Sequence, residues 1–407
     1  MQRFAQGQGT HADWRTALGM AIATLESDAP AEPTLGWCYL TDHHASAAHE
    51  MLAVLHARFP GAQWVGTVGI GVCASGVEFF DEPAVVLLLS DLPREHFRVF
   101  SGRTPLPDPH AFRAHVAQVH ADPATPDLAE LIGELSARVQ SGYLFGGLAS
   151  TRTRTVQLAD EVFEGGLCGV AFDAGVDLIS RVTQGCAPVG PTRRITEAER
   201  NVVIALDDEP ALDVLLADLG VDESQPRQAL PKLRATLVGL SDARDALGVA
   251  AHAGAFGEEV RVRHLIGLDP QRRGVAVADA VEAGQRLAFC RRDVDAARRD
   301  LIRICAELRS ELEPDELSLI TGEPALAIQT EGRMPNSPNV GRRIVGALYA
   351  TCTGRGGPHF GAPSAELQIL RSALGDVPLA GFFAAGEIGH RHLYGYTGVL
   401  TVFTAQP

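Results

Sequence analysis

No apolar run in this sequence approaches the roughly 20 residues that a membrane-spanning helix needs. The longest, such as 84–89 and 379–385, are a third of that length, so a helical membrane span is excluded. The first residues, Met1 to Gly7, hold one basic side chain and no apolar segment behind it. No secretory signal is recognisable, and a cytoplasmic location is expected. Cysteine is scarce and scattered. The seven residues Cys38, Cys73, Cys168, Cys186, Cys290, Cys305 and Cys352 form an odd set without a Cys-x-x-Cys pair. That excludes a disulfide framework or a zinc ribbon and points to reduced, buried thiols. Positive charge is also short: 35 Lys and Arg face 50 Asp and Glu, a formal net charge of −15. The averaged field repels phosphate backbones and anionic lipid surfaces, so no nucleic-acid partner is expected.

The usual enzyme signatures are missing as well. Gly66-Thr-Val-Gly-Ile-Gly71 invites a nucleotide-binding reading, but it lacks the ordered Gly-x-Gly-x-x-Gly spacing and an obvious helix start. There is no Gly-x-x-x-x-Gly-Lys-Ser/Thr phosphate loop, Gly-x-Ser-x-Gly elbow or His-Glu-x-x-His pair. Acid, base and nucleophile nowhere converge on a recognisable arrangement, and catalysis is not expected. No solenoid-type repeat is present.

What the chain has is ordinary globular material. Its 407 residues are 46% hydrophobic and 21% charged, enough for two cores. The runs 36–41 and 84–89 read as buried strands and 45–59 as a helix, with Ala48, Leu52, Leu55 and Phe59 at helical spacing. Helices are predicted again at 127–139, 210–219 and 293–310, and also at 196–205, where Thr196 and Glu199 stand at the capping-box spacing. Strands are predicted at 143–145, 167–172, 176–182, 259–264, 274–277, 285–289 and 344–349. The alternating Thr151-Arg-Thr-Arg-Thr155 adds one more. The fold class is α/β (α+β), with two domains of mixed, largely antiparallel sheets packed with helices. An N-terminal extension over 1–35 precedes domains at 36–226 and 227–405, divided at the polar joint 222–226. Residues 311–343, rich in Pro, Asn, Gly and charge, are expected to form a surface excursion.

Two polar clusters invite functional readings. His43, His44, His49 and His56 are crowded enough to raise a metal site, yet no carboxylate or cysteine stands at a ligating spacing beside them. Exposed or capping histidines are the simpler account. Arg152 and Arg154, among three threonines, suit an anion, but a half-exposed strand with one basic face explains the alternation equally well.

The most unusual segment runs from Gly381-Phe-Phe-Ala-Ala-Gly-Glu-Ile-Gly389 through His390-Arg-His-Leu-Tyr-Gly-Tyr-Thr397. An acid, Glu387, sits between glycines inside an apolar stretch. Desolvating an unpaired charge costs several kcal/mol, so Glu387 must find a cation, a set of N–H donors or the amine of a ligand. Arg355, Arg391 and a ligand ammonium are candidates. An acid that pins two turns through backbone N–H groups is the equally good structural alternative.

This segment resembles the signature of the FIST family's C-terminal domain, Gly-Phe-Phe-x-x-Gly-Glu-Ile-Gly followed by Leu-x-Gly-Tyr-Thr. Cys352-Thr-Gly-Arg-Gly356, His359-Phe-Gly361, Arg292-Asp293 and Val262-Arg-His-Leu-Ile-Gly-Leu-Asp269 resemble further motifs of that domain. Gly66 to Gly71, Gly76-Val-Glu78, Phe145-Gly-Gly147, Gly165-Gly166 and the run 184–191 resemble the FIST N-terminal domain. One departure stands out. Where members commonly have Pro after Gly-Glu-Ile-Gly and a longer loop, this chain has His390-Arg-His392 and then Leu393. The resemblance implies an intracellular sensory module that binds a small ligand, with amino acids the usual proposal, and signals to a separate protein, since no output domain is recognisable. It implies ligand contacts from Glu387 to an amine and from Arg355 to a carboxylate, with Tyr396, Thr397, Gly356, Gly386 and Gly389 around them. One FIST-like branch resembles haem-based nitric-oxide sensors, for which His264, His359, His390 and His392 are the available ligands. A third implied role is a protein-interaction scaffold docking through 311–343.

Overall fold

The computed structural model describes residues 2–221, 226–242, 260–313 and 341–406. They form two compact units interleaved along the chain: residues 1–182, 301–393 and 398–407 make the first, and 183–300 with 394–397 the second. The fold is α/β, as expected, but its division does not follow the linear cut at 226. Residues 222–225 of that joint, and 314–340 of the excursion, lie outside the described residues.

The first unit is built on three six-stranded sheets. In the first sheet Phe4–Thr10 pairs with Ala84–Ser90, and Leu35–Thr41 pairs parallel with Gln63–Gly69 through the crossover helix Ala48–Arg58. The expected N-terminal extension is therefore integral: its strand is part of the sheet and its helix, Trp14–Glu26, packs on it. Gly7 and Gly9 permit this packing, because a Cβ at either would overlap the carbonyl oxygens of Ala21 and Ala17. Asp13 caps the helix by accepting the N–H groups of Arg15 and Thr16 at 3.2 and 3.3 Å.

The second sheet orders His392–Tyr394, Glu387–His390, Tyr143–Leu148, Val116–Ala121, Leu167–Phe172 and Phe97–Ser101. The third orders Leu178–Gln184, Thr397–Ala405, Arg343–Cys352, Leu379–Ala384, Gly71–Ala74 and Val77–Phe80. Their shared core holds Phe4, Trp37, Phe172 and Phe403, with Phe403 4.7 Å from the Phe4 ring and 5.6 Å from Trp37. A polar chain threads it. Trp37 Nε1 donates to Gln118 Oε1 at 2.7 Å, Gln118 Nε2 donates to the Tyr39 hydroxyl at 2.8 Å, and that hydroxyl lies 3.2 Å from His120 Nε2. Burial holds His120 neutral, pulling its pKa down to about 3.

The second unit is a closed barrel. Arg286–Arg292, Arg193–Glu199, Val202–Leu206, Gly274–Val277, Arg261–Asp269 and Leu237–Ser241 pair antiparallel in that order, and Leu237–Ser241 returns to Arg286–Arg292 to shut the ring. Closure leaves no edge among these six strands and lets the interior be apolar. Ile195, Val203, Val238, Leu240, Val275 and Phe289 fill it, with helix Ala211–Leu219 packed against them.

The helix predicted over 196–205 is instead a hairpin, turning at Arg200 with φ 56°. Ile195, Thr196, Val202, Val203 and Ile204 are β-branched, and barrel pairing uses them where local capping signals pointed to a helix. Thr196 caps no helix; its hydroxyl accepts the Asp208 N–H at 3.1 Å. The strand predicted at 151–155 is a loop. The expected helix at 293–310 is present as Val294–Leu312, begun by Asp293, whose carboxylate accepts the Ala296 N–H at 2.8 Å. Among the described residues no helix is long and apolar enough to cross a membrane.

Candidate functional site

The parallel strands Arg343–Cys352 and Leu379–Ala384 approach closely at Gly381, where a Cβ would overlap the Tyr349 carbonyl oxygen. Past Cys352 the chain makes two short turns, 353–355 and 357–360, before helix Ala365–Leu374. Those turns carry Arg355 inward until it is 1% exposed. Its Nε donates to Glu366 Oε1 at 2.8 Å, and its Nη2 bonds the same oxygen. The Tyr349 hydroxyl reaches Glu366 Oε1 at 2.7 Å and the Thr351 hydroxyl reaches Oε2 at 3.1 Å. The guanidinium stacks over Phe360 at 5.1 Å. The carboxylate that Arg355 neutralises is thus supplied by the chain itself.

A second buried acid borders this network. Glu78 accepts the Gly357 N–H at 3.0 Å, and its own N–H is held by the Ser364 hydroxyl at 3.1 Å. Burial pushes its carboxyl up to about 6; backbone hydrogen bonds from Ser364 and Gly357 oppose this, and the negative charge of Glu366 adds to it. Gly356 is fitted to packing, since a Cβ there would overlap the Phe80 ring. Neither Glu366, Glu78 nor Tyr349 stood out in the sequence. Glu78 meets Gly357 across a separation of 279 residues, which no local pattern reveals.

Glu387 opens the strand Glu387–His390 and is fully buried. It stands opposite Gly147, and backbone bonds bracket it: the Leu148 N–H donates to Gly386 O at 2.8 Å and the Ala385 N–H to Leu148 O at 3.0 Å. Gly389 stands opposite Phe145 in the same ladder. Arg391, named as a possible cation, is exposed. Tyr396 and Thr397 belong to the other unit. Tyr396 holds φ at 61°, its hydroxyl lies 3.2 Å from His264 Nε2, and its ring lies 5.1 Å from the Arg292 guanidinium.

The four histidines considered for haem are engaged separately. His264 faces Tyr396, His359 meets the Phe360 ring edge-on at 5.3 Å, His390 meets Tyr143 at 4.4 Å, and His392 lies on the short strand His392–Tyr394. None of them lines either of two clefts of the first unit, about 570 and 550 Å³ in volume. Among the described residues no group of three His, Cys, Asp or Glu is placed to hold a metal ion. In the early cluster His49 is exposed, His43 lies 3.5 Å from Asp42 and His56 3.3 Å from Asp160. Arg152 and Arg154 are likewise committed, to Asp42 with Asp81 and to Glu164.

The FIST N domain matches residues 34–209 and the FIST C domain residues 211–390. Uncharacterized protein Rv0628c of Mycobacterium tuberculosis is 29% identical over 428 residues, covering 98% of this chain and 99% of its own length. Uncharacterized protein Mb0898c of Mycobacterium bovis is 29% identical over 422 residues, covering 95% and 94%.

Proposed function

Because the chain belongs to the FIST family, whose domains are associated with sensing in signal transduction, we infer that it is a cytoplasmic sensor that binds a small ligand and reports to a separate protein. The ligand class that suits it is an amino acid, and the chain acts by binding rather than by catalysis. The observation that supports this reading is a cleft of about 550 Å³ in the first unit, lined by both arginine and aspartate. That volume suits a metabolite. Among the described residues the most deeply buried ion pair, Arg355 with Glu366, is closed on itself and leaves ligand recognition to groups nearer the surface. Glu387 remains the proposed amine partner through its place in the family signature. Since it is fully buried, an amine reaches it only if the neighbouring strand ends part. A ligand that binds one arrangement of those ends would shift the population toward it, which is how a sensor without chemistry of its own transmits.

Thermal unfolding in the presence of each of the twenty amino acids tests this. At least one should raise the melting temperature saturably in the wild type. A flat response to all twenty would overturn the amino-acid reading. An equal response from Glu387→Ala would remove Glu387 from the site.

A further inference from the structure

We propose that the cleft between the first strand and the start of Arg343–Cys352 seats a small carboxylate with an apolar body. The inference rests on the sensor reading and assigns its ligand a place and a chemistry. The floor is apolar and rigid. Phe4 is 7% exposed, clamped between Trp37 and Phe403, and packed so tightly over Gly346 that a Cβ there would press on its ring. Ile344, Val345 and Pro378 continue that floor. The far wall is fixed by Ser75, whose hydroxyl donates to Val377 O at 2.6 Å and accepts the Leu379 N–H at 3.0 Å.

The rim is basic on a protein that is otherwise acidic. Arg3, Arg343 and Arg371 border the cleft with Asp28 and Asp376, although the chain carries 15 more acids than bases. Arg371 is neutralised by Asp376 at 2.7 Å. The Arg3 side chain makes no hydrogen bond or ion pair among the described residues; only its backbone is engaged, its N–H donating to the Asp91 carboxylate and its carbonyl accepting the Asp91 N–H. Arg343 also lines the neighbouring cleft, which Arg309 and Arg342 border together with Glu313. A guanidinium beside an apolar floor recognises a planar carboxylate attached to a hydrocarbon or aromatic body, holding the charge by a forked pair of N–H bonds while the body covers Phe4 and Ile344. The floor is also connected inward: Phe4 lies 6.2 Å from Trp37, which begins the buried chain to Gln118, Tyr39 and His120. A ligand body resting on Phe4 therefore lies one ring away from hydrogen bonds that join two sheets.

The test follows the isoleucine δ1 methyl signals of the whole protein at constant ionic strength, with Ile344 assigned through Ile344→Val. The probes are phenylacetate and its neutral analogue phenylacetamide. Phenylacetate should shift the Ile344 methyl along a saturating curve, and phenylacetamide should bind at least about tenfold more weakly. The double variant Arg3→Gln, Arg343→Gln changes exposed side chains only, and should weaken phenylacetate by about the same factor. A shift that stays linear to roughly 10 mM, or one equal for both probes or both proteins, overturns the proposal. The sensor reading fails separately. If an amino acid stabilises the wild type and the double variant equally, the sensor stands and this site falls; if phenylacetate seats as described while no amino acid stabilises the protein, the site stands and the amino-acid reading falls.

Discussion

Inside the barrel unit, Ile195, Val203, Leu240, Val275, Leu287 and Phe289 form one apolar cluster, and among the described residues a single acid, Asp300, is buried and accepts the Gln184 N–H at 2.7 Å. The arginine pairs range from largely buried to half-exposed: Arg193 with Asp218 at 2.7 Å, Arg263 with Asp279 at 2.8 Å, Arg272 with Asp269 at 2.7 Å. The three-sheet unit buries more charge. It buries Arg355, Glu366, Glu78, Glu387 and His120, each less than a tenth exposed. A ring of strands closes its own ladder and can be filled by hydrocarbon alone. Open sheets converging on one core leave carbonyls, turns and strand ends facing inward, and these are matched by side chains that carry charge or hydrogen bonds. Buried ion pairs add little net stability relative to apolar packing, but breaking one is costly. The three-sheet unit should therefore be the more sensitive to loss of a single polar atom, and the barrel to loss of volume.

The largest expected effect is at the ion pair. Glu366→Ala strands a fully buried guanidinium and should cost about 4 kcal/mol in denaturant unfolding, whereas Arg355→Met with Glu366→Leu should recover most of that loss. Equal instability of the single and double variants would show that volume, not charge, matters there. In the barrel, Leu240→Ala should cost about 3 kcal/mol by cavity formation. A cost below that of an exposed substitution would mean the ring collapses around the gap.

Glu78 offers a pH-dependent effect of intermediate size. Its folded pKa of about 6 exceeds the ordinary 4.5, so the fold binds its proton more tightly than the unfolded chain does. The stability this contributes is full below 4.5 and is lost as pH rises through 6. Glu78→Gln keeps an acceptor for the Gly357 N–H without the charge. The variant should gain on the wild type by about 2 kcal/mol between acid and neutral pH. A stability difference that does not move with pH would sink this account. The smallest effect is expected on the barrel's outer wall, where Ile266 and Leu268 are 58% and 40% exposed. Replacing both by Ser should change unfolding stability by no more than about 0.5 kcal/mol.

Much of the secondary structure was legible. The strands at 36–41 and 84–89 have apolar side chains on successive positions because neighbours cover both their faces. The helices expected at 210–219 and 293–310 were legible to within two residues, as Ala211–Leu219 and Val294–Leu312. The segment 196–205 was not, because a threonine and a glutamate three apart announce a helix start while the β-branched residues between barrel partners decide the pairing. The site was half legible. A buried acid at 387 follows from its apolar, glycine-bracketed surroundings, whereas the ligand role of Arg355 came with the family resemblance, and its bond to Glu366 was hidden because Glu366 sits on a helix start where an exposed acid is the norm.

Family, fold class and the burial of Glu387 were thus written locally, in glycines that admit close approach and in an acid set among apolar residues. Which charge meets which was decided only in three dimensions. Hydrophobic periodicity acts over a few residues, whereas a buried ion must find a counter-charge wherever the chain brings one, and here Glu78 reaches Gly357, while Arg3 shares a rim with Arg343, across hundreds of intervening residues.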